Sequence, residues 1–546
     1  MAKKIFKIIG IIILLLLIGI LYFFWSDANL KKYDVSIEKD KIPVFSQVEF
    51  PFTHIYDSKK SLPIAPSAVI DINNDGIEEV FMGGGLSQDD EIFAFRDGKF
   101  VPITSETNFP SKGNYTSSGV AVADFDDNGF LDLIIGREDG LHIYYNNNAT
   151  FTHKAIETPI NEKSSPAGIT VGDINKDGHL DIFLSTYIKK ELMTGQTKFE
   201  DNSYGSTSAL LINDGNNNFS NQTVSAGLDY IHNTFMAILV DIDKDSHLDL
   251  VVAHDTGEVR TYKNNGNETF KRIENPLTNK FAYPMGIAAG DYNNDGLIDF
   301  MFSNTGSTLP RILAKGDIKD ATKFNEKWIL FRNDGDFKFT DVAEEAKIAN
   351  YEFSWGAVFA DMNNDGLQDL LVAENYVDLA PNKLFRLPSR MLIQKEDHTF
   401  VPTEKKSGVV NPNFGITPLV SDFNNDGYLD FIWTNINSPS LAFINQGGTN
   451  NFIKIVLPKN AKTIGAKIEI ATPNKKLFEW LISGEGLASD QTNSIHFGLG
   501  TEKEVKTITI TLIDGSKIFV ENPEINTQIK INVTEDISKN FSEEID

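Results

Sequence analysis

A nine-residue loop recurs seven times in this chain, each copy carrying oxygen-bearing side chains at its first, third, fifth and ninth positions. The copies hold Asp71, Asn73, Asp75 and Glu79; Asp124, Asp126, Asn128 and Asp132; Asp173, Asn175, Asp177 and Asp181; and Asp241, Asp243, Asp245 and Asp249. The last three hold Asp291, Asn293, Asp295 and Asp299; Asp361, Asn363, Asp365 and Asp369; and Asp422, Asn424, Asp426 and Asp430. A hard cation such as calcium takes roughly six to eight oxygens at about 2.3–2.6 Å. Alternate side chains of one tight loop supply most of that shell. The seventh residues, Ile77, Phe130, His179, His247, Leu297, Leu367 and Tyr428, add a backbone carbonyl each. Position six is Gly, which takes φ > 0 at little cost, except in the fourth copy, where it is Ser246. An Asp-Gly or Asn-Gly turn is ordinary hairpin chemistry when it occurs once; seven such loops predict about seven bound calcium ions.

The spacing excludes an EF-hand, whose bidentate Glu stands at position twelve between two helices. Here the flanks are strand-like: Ser67-Ala-Val-Ile70, Val120-Ala-Val-Ala123 and Ile287-Ala-Ala-Gly290 before loops, and Val80-Phe-Met, Leu133-Ile-Ile135 and Phe300-Met-Phe302 after them. Downstream of most loops an Asn/Gly turn precedes a Phe-containing strand, as in Asn213-Asp-Gly, Asn264-Asn-Gly and Asn333-Asp-Gly. The unit is strand, metal loop, strand, strand, turn, strand. First aspartates lie 53, 49, 68, 50, 70 and 61 residues apart. Four strands per unit at that period predict an all-β chain built as a seven-bladed β-propeller. The two long intervals leave room for insertions at 189–206 and 305–327, or for an eighth blade without the motif.

The chain resembles the FG-GAP/VCBS repeat proteins, whose calcium loops sit in integrin-like propellers. More closely it resembles the cartilage acidic protein family, in which such a propeller precedes an ASPIC/UnbV domain. The second resemblance is carried by Ile464-Gly-Ala-Lys-Ile468, Gly484-Glu-Gly-Leu487, His496-Phe-Gly-Leu-Gly500 and Asp514-Gly515. Met285-Gly-Ile-Ala-Ala-Gly-Asp291 and Ser354-Trp-Gly-Ala-Val-Phe-Ala-Asp361 are similar to that family's blades. Ser246 departs from the pattern, as does Thr511-Leu-Ile-Asp-Gly515, which lacks the usual Trp-Pro. The resemblance covers residues 45–533 and specifies architecture far better than function.

Lys3, Lys4 and Lys7 precede an uncharged stretch, residues 8–25, which ends in Tyr22, Phe23, Phe24 and Trp25. At ~1.5 Å per residue it approaches the ~30 Å of a bilayer core. It is read as an uncleaved N-terminal transmembrane anchor, with the bulk of the chain outside a bacterial cytoplasm. The competing reading is secretion after signal cleavage near Ala28. The expected units are an anchor at 1–30, the propeller at 31–447, a β-sandwich at 448–533 and a flexible acidic tail at 534–546. There is no Cys, which excludes disulfides and a lipid-anchored cysteine.

The formal charge of −26 is unsuited to a nucleic-acid backbone. Seven divalent ions would bring it to about −12 and relieve repulsion among the loop acids. His179 and His247 are read as exposed loop residues, Trp355, Trp433 and Trp480 as packing residues, and His496 as a structural turn residue. No nucleophile elbow, zinc-spaced His pair, Walker loop or cysteine nucleophile is present in the sequence. The favoured function is a membrane-tethered calcium-binding module for a protein or glycan partner. The rival is a calcium-dependent carbohydrate-active enzyme, similar to a polysaccharide lyase, on the same scaffold.

Two expectations concern assembly. Only two strand-like runs follow Asp430 before the C-terminal unit, so the alternating run 44–56 is expected to complete the last blade and close the ring. The short joint Asn445-Gln-Gly-Gly-Thr-Asn450 is expected to hold the C-terminal unit against the propeller.

Overall fold

The computed structural model describes residues 2–30, 36–110, 115–193, 197–201, 203–306, 311–376 and 387–533, with side chains before residue 36 only for Lys4 and residues 7–20. Ala2–Leu30 is one helix. Its described apolar side chains between Ile8 and Ile20 are all about half exposed. Among the described residues no helix is long and apolar enough to cross a membrane. The expected transmembrane span finds no support there, because its last residues, 21–25, have side chains outside the described ones. The expected acidic tail, 534–546, lies outside them too.

The rest of the chain is strands. Seven antiparallel sheets follow the seven loops, each with strands in the order the repeat predicts. Their first strands are Ser67–Ile70, Ser117–Ala123, Ser164–Gly172, Met236–Val240, Ile287–Gly290, Ser354–Ala360 and Phe414–Ser421. Each metal loop joins the first strand of its sheet to the second. First strands touch in sequence, and the seventh touches the first. They are almost wholly buried, because small and β-branched residues alternate there between two neighbouring sheets.

The seventh sheet takes its outermost strand from the other end of the chain. Phe45–Val48 pairs antiparallel with Leu441–Asn445, placing Phe45 opposite Asn445 and Val48 opposite Ala442. The expected strand is shorter than the run that suggested it. Phe50 and Phe52 leave the ladder and pack on Phe93, which ties the first and seventh sheets together. No eighth sheet forms among the described residues of the long intervals. Instead the two insertions pack on each other through Phe199, Ala314, Ile318 and Phe324, and Asp317 Oδ1 accepts from Phe199 N at 2.6 Å.

Residues 451–530 make two further sheets. One pairs Asn451–Val456 with Ser494–Gly500 and Gln528–Lys530; the other runs Lys476–Trp480, Lys467–Ala471, Thr507–Thr511, Lys517–Glu521. They share a core of Ile453, Ile455, Ile468, Ile470, Phe497, Ile508 and Ile510, as a small sandwich should. His496 is not a turn residue. It lies inside a strand, buried, stacked on Phe452, with Nε2 2.7 Å from Asn364 Oδ1.

Candidate metal centres and a capped face

Each loop winds through two left-handed residues. Position four has φ between 54° and 66° in all seven copies (Asn74, Asp127, Lys176, Lys244, Asn294, Asn364, Asn425), and position six lies at 69–87°. The lowest value there belongs to Ser246, the one side chain held where the others have Gly. This winding turns the odd-numbered side chains inward. In the second loop Asp124 accepts from Asn128 N (3.1 Å) and Gly129 N (2.9 Å), and Asn128 Oδ1 accepts from Phe130 N (2.7 Å). Oxygens of Asp124, Asp126 and Asp132 lie within 4.8 Å of one another, as do those of Asp241, Asp243 and Asp249. The five other loops carry Asn at position three, whose amide donates to the Asp at position five in each.

Position nine anchors the loop. Its carboxylate accepts from the position-two N–H of its own loop at 2.7–3.1 Å in all seven copies. In six it also accepts, at 2.7–2.9 Å, from the last residue of the third strand: Asn146, Asn213, Asn264, Asn333, Gln394 or Asn445. Burial pushes these carboxyls up, to about 8 for Glu79, Asp132, Asp181 and Asp249, and well above the usual range for Asp299, Asp369 and Asp430. At position one burial lifts Asp124 and Asp291 to about 6. Lysines offset part of this crowding at the fourth to seventh loops, and none does so at the first three among the described residues. An all-oxygen donor set with buried, only partly compensated carboxylates fits a hard divalent cation.

Two loops depart from that pattern. In the fourth, Lys263 reaches over from the third strand to Asp243 and, at 2.7 Å, to Asp245. In the seventh, Lys454 Nζ lies 3.3 Å from Asp422 Oδ2 and 2.7 Å from Asn425 Oδ1. The histidines expected to be exposed are half-buried. His179 stands against Gly215, and His247 stands against Gly266 with Nδ1 3.2 Å from Asp245 Oδ1. Among the position-seven residues, Tyr428 donates its hydroxyl to Asn450 O, and Ile77 is exposed. Trp355, Trp433 and Trp480 are packing residues, as expected.

The third-strand amides were legible in sequence only as turns, yet they link sheets. The Asn146 amide donates to Ile72 O of the preceding loop and Leu131 O of its own; Asn264 does the same to Ile174 and Leu248, and Asn445 to Met362 and Leu429. Gln394 reaches Tyr292 O, and Asn217 reaches Phe125 O. Position-four asparagines add a second tie, from Asn74 to Gly129 O, Asn294 to Gly366 O and Asn364 to Gly427 O.

The C-terminal sandwich covers the face that carries these loops. Lys467 Nζ donates to Gly296 O and Lys475 Nζ to Asp365 O, and Asp124 N donates to Lys459 O. Between its sheets, residues 483–491 enter the middle of the ring of first strands. Ser489 and Asp490 pair with Ser67 and Ala68, and Asp490 Oδ2 accepts from Val122 N at 2.8 Å. Gly484 lies against Thr170, so a Cβ there would meet its Oγ1 at 2.4 Å. Ala488 N contacts Met236 Sδ, Gly486 exchanges both main-chain bonds with Ile287, and Ser489 Oγ lies 3.2 Å from Thr417 Oγ1. Leu487 and Ala488 share a core cluster with Trp355. Six of the seven first strands therefore contact this one segment directly, and the sixth shares a core cluster with it through Trp355.

A family model described as FG-GAP-like repeat matches residues 71–135, 124–184, 241–302 and 321–372, and one described as ASPIC and UnbV matches 457–538. The chain is an FG-GAP-like repeat protein with a C-terminal ASPIC and UnbV domain. It is 22% identical to Cartilage acidic protein 1 of Mus musculus over 84% of this chain and 79% of the relative. To that of Xenopus tropicalis it is 22% identical over 82% and 78%. Among solved structures it is similar to the V. cholerae biofilm matrix protein Bap1 (13% identity, 88% of this chain and 62% of that one, TM-score 0.32). It is also similar to the rhamnogalacturonan lyase YesW (12% identity, 73% and 75%, TM-score 0.40).

Proposed function

We propose that the seven sheets are the blades of one calcium-stabilised β-propeller, and that the molecule is a binding module held outside the cytoplasm. Calcium is the ion the loops fit best, and Asp71, Asn73, Asp75, Glu79 and their counterparts in the other six loops are the ligands. The observation that carries the reading is the sevenfold return of one oxygen cradle, with position nine buried and fixed by main-chain donors in each. Metal in these loops would brace the ring rather than turn over a substrate, because every loop lies under or beside the C-terminal sandwich. A protein or glycan partner is then met on the opposite face, where the ring is uncovered. The N-terminal helix serves as the membrane tether.

Native mass spectrometry of residues 36–546, titrated with calcium and then with a chelator, tests the metal. Six or seven calcium ions supports the reading; two or fewer, or a preference for zinc, refutes it. Partition of the full chain with membranes, lost on removing residues 2–30, tests the tether.

A further inference from the structure

The face opposite the metal loops carries a cleft of about 450 Å³ between the first three sheets. That size falls within the ~300–1,000 Å³ of ordinary small-ligand sites. Its walls hold four lysines, Lys59, Lys60, Lys189 and Lys190, in a chain whose formal charge is −26. Lys59 and Lys60 are exposed and Lys189 and Lys190 half-buried, and none of the four makes an ion pair among the described residues. What sets them apart is that all four stand around one cavity. Four ammonium groups around one cavity, against the two carboxylates of Glu138 and Glu191, leave a net positive place where an anion gains charge contacts.

The other lining groups narrow the chemistry. Thr116 is 4% exposed, and its Oγ1 has no hydrogen-bond partner although it borders the cleft. A buried hydroxyl left unpaired costs free energy that a ligand hydroxyl or water recovers. Tyr115, 43% exposed, stands at the mouth and offers an aromatic face. Glu138 and Glu191 also line the cavity, and they can accept from ligand hydroxyls. Ammonium groups, one ring face and polar acceptors together match a sugar that bears a carboxylate.

We infer that this cleft binds a uronate-bearing oligosaccharide, its carboxylate between the Lys59–Lys60 and Lys189–Lys190 pairs and its ring against Tyr115. This rests on the reading of the uncovered face as the binding face. The test is calorimetry of the full chain, in calcium and low salt, with trigalacturonate, its methyl ester, and an aspartate-rich peptide as probes. Trigalacturonate binds, and the methyl ester, which keeps the sugar and loses the charge, binds about tenfold more weakly or not at all. Lys189→Ala/Lys190→Ala lowers trigalacturonate affinity by about tenfold, and Thr116→Val lowers it by a few fold, with unchanged calcium stoichiometry. No trigalacturonate binding, equal binding of the ester, tighter binding of the peptide, or a lysine variant that binds as well as the parent would each overturn the inference. Loss of the calcium count in the parent protein would instead refute the propeller reading, so the two failures are distinguishable.

Discussion

Asn264 and Asn333 occupy the same register in adjacent sheets, each opening an Asn-x-Gly turn, each buried and each donating its main-chain N–H to the position-nine carboxylate. They differ in what the side chain does. The Asn264 amide donates to Ile174 O and Leu248 O, both at 3.1 Å, and its oxygen accepts from Gly266 N at 2.9 Å. Asn333 keeps only the last contact, from Gly335 N, and its Nδ2 is buried with no partner. Asn264→Ala therefore orphans two carbonyls and one N–H, whereas Asn333→Ala orphans one N–H and removes an amide that was already unsatisfied. At ~1–3 kcal/mol per buried orphan, three orphans should cost about 3–9 kcal/mol and one about 1–3 kcal/mol. The assay is urea unfolding of residues 36–546 in chelator, so that ion binding adds nothing, with equal slopes required for the comparison. Equal losses in the two variants would refute the claim that these amides link sheets and would reduce them to turn residues.

Other outcomes follow from the same geometry. Lys263→Met should raise calcium affinity at the fourth loop, turning a count of six tight ions into seven, since the ammonium no longer holds Asp243 and Asp245; an unchanged count would show that the lysine does not compete. Ser246→Gly should stabilise the protein by about 1 kcal/mol, measured by thermal or urea unfolding, because the residue sits at φ 69°. Gly486→Ala should give insoluble protein or a ring without its axial segment, since a Cβ there would meet Ser489 Oγ at 2.4 Å and Thr417 Oγ1 at 2.5 Å; a soluble product with parental stability would contradict the packing. Burial lifts Glu485 to about 8 from a usual value of 4.5. The folded state then holds a proton the unfolded state has lost, so this group's stabilisation is complete below about pH 4.5 and fades as pH rises to 8. Glu485→Gln should remove that part of the slope in unfolding free energy against pH.

The loops were legible because seven copies keep the same residue types at the same spacing, and the sheets because each loop forces a hairpin around it. The closing strand could be read from a count, because the last repeat was one strand short; the alternation of Val48, Phe50 and Phe52 that pointed to it runs mostly beyond the paired residues 45–48. The sequence misled at His496, whose Gly-rich surroundings suggest a turn although its neighbours Ile495, Phe497 and Leu499 alternate inward as a strand. Residues 483–491 could be read only as a family motif, not as an axial segment. Gly484-Glu-Gly-Leu487 carries no periodicity, and the segment's place is set by separate first strands that no local pattern can announce. The same holds for Lys263, which stands 14 residues beyond the last acid of its loop and reaches it only because the third strand folds back.

The axial segment changes what the repeats can be expected to do alone. A ring of seven sheets leaves its first strands facing a central channel, which water or a ligand fills when nothing else does. Here the ASPIC and UnbV domain fills it with Leu487, Ala488 and Ser489, all essentially without exposure. The buried ion pair of Lys459 and Asp490, at 2.8 Å, fixes the segment where it enters. Removing one partner of such a pair leaves a buried charge, at a cost of about 3–5 kcal/mol. The two units are thus one folding problem, and neither the channel nor the loop face is open to a partner. The face away from the loops is the one the sandwich leaves uncovered; there the insertions of the third and fifth repeats pack on each other, and the lysine cleft lies between the first three sheets.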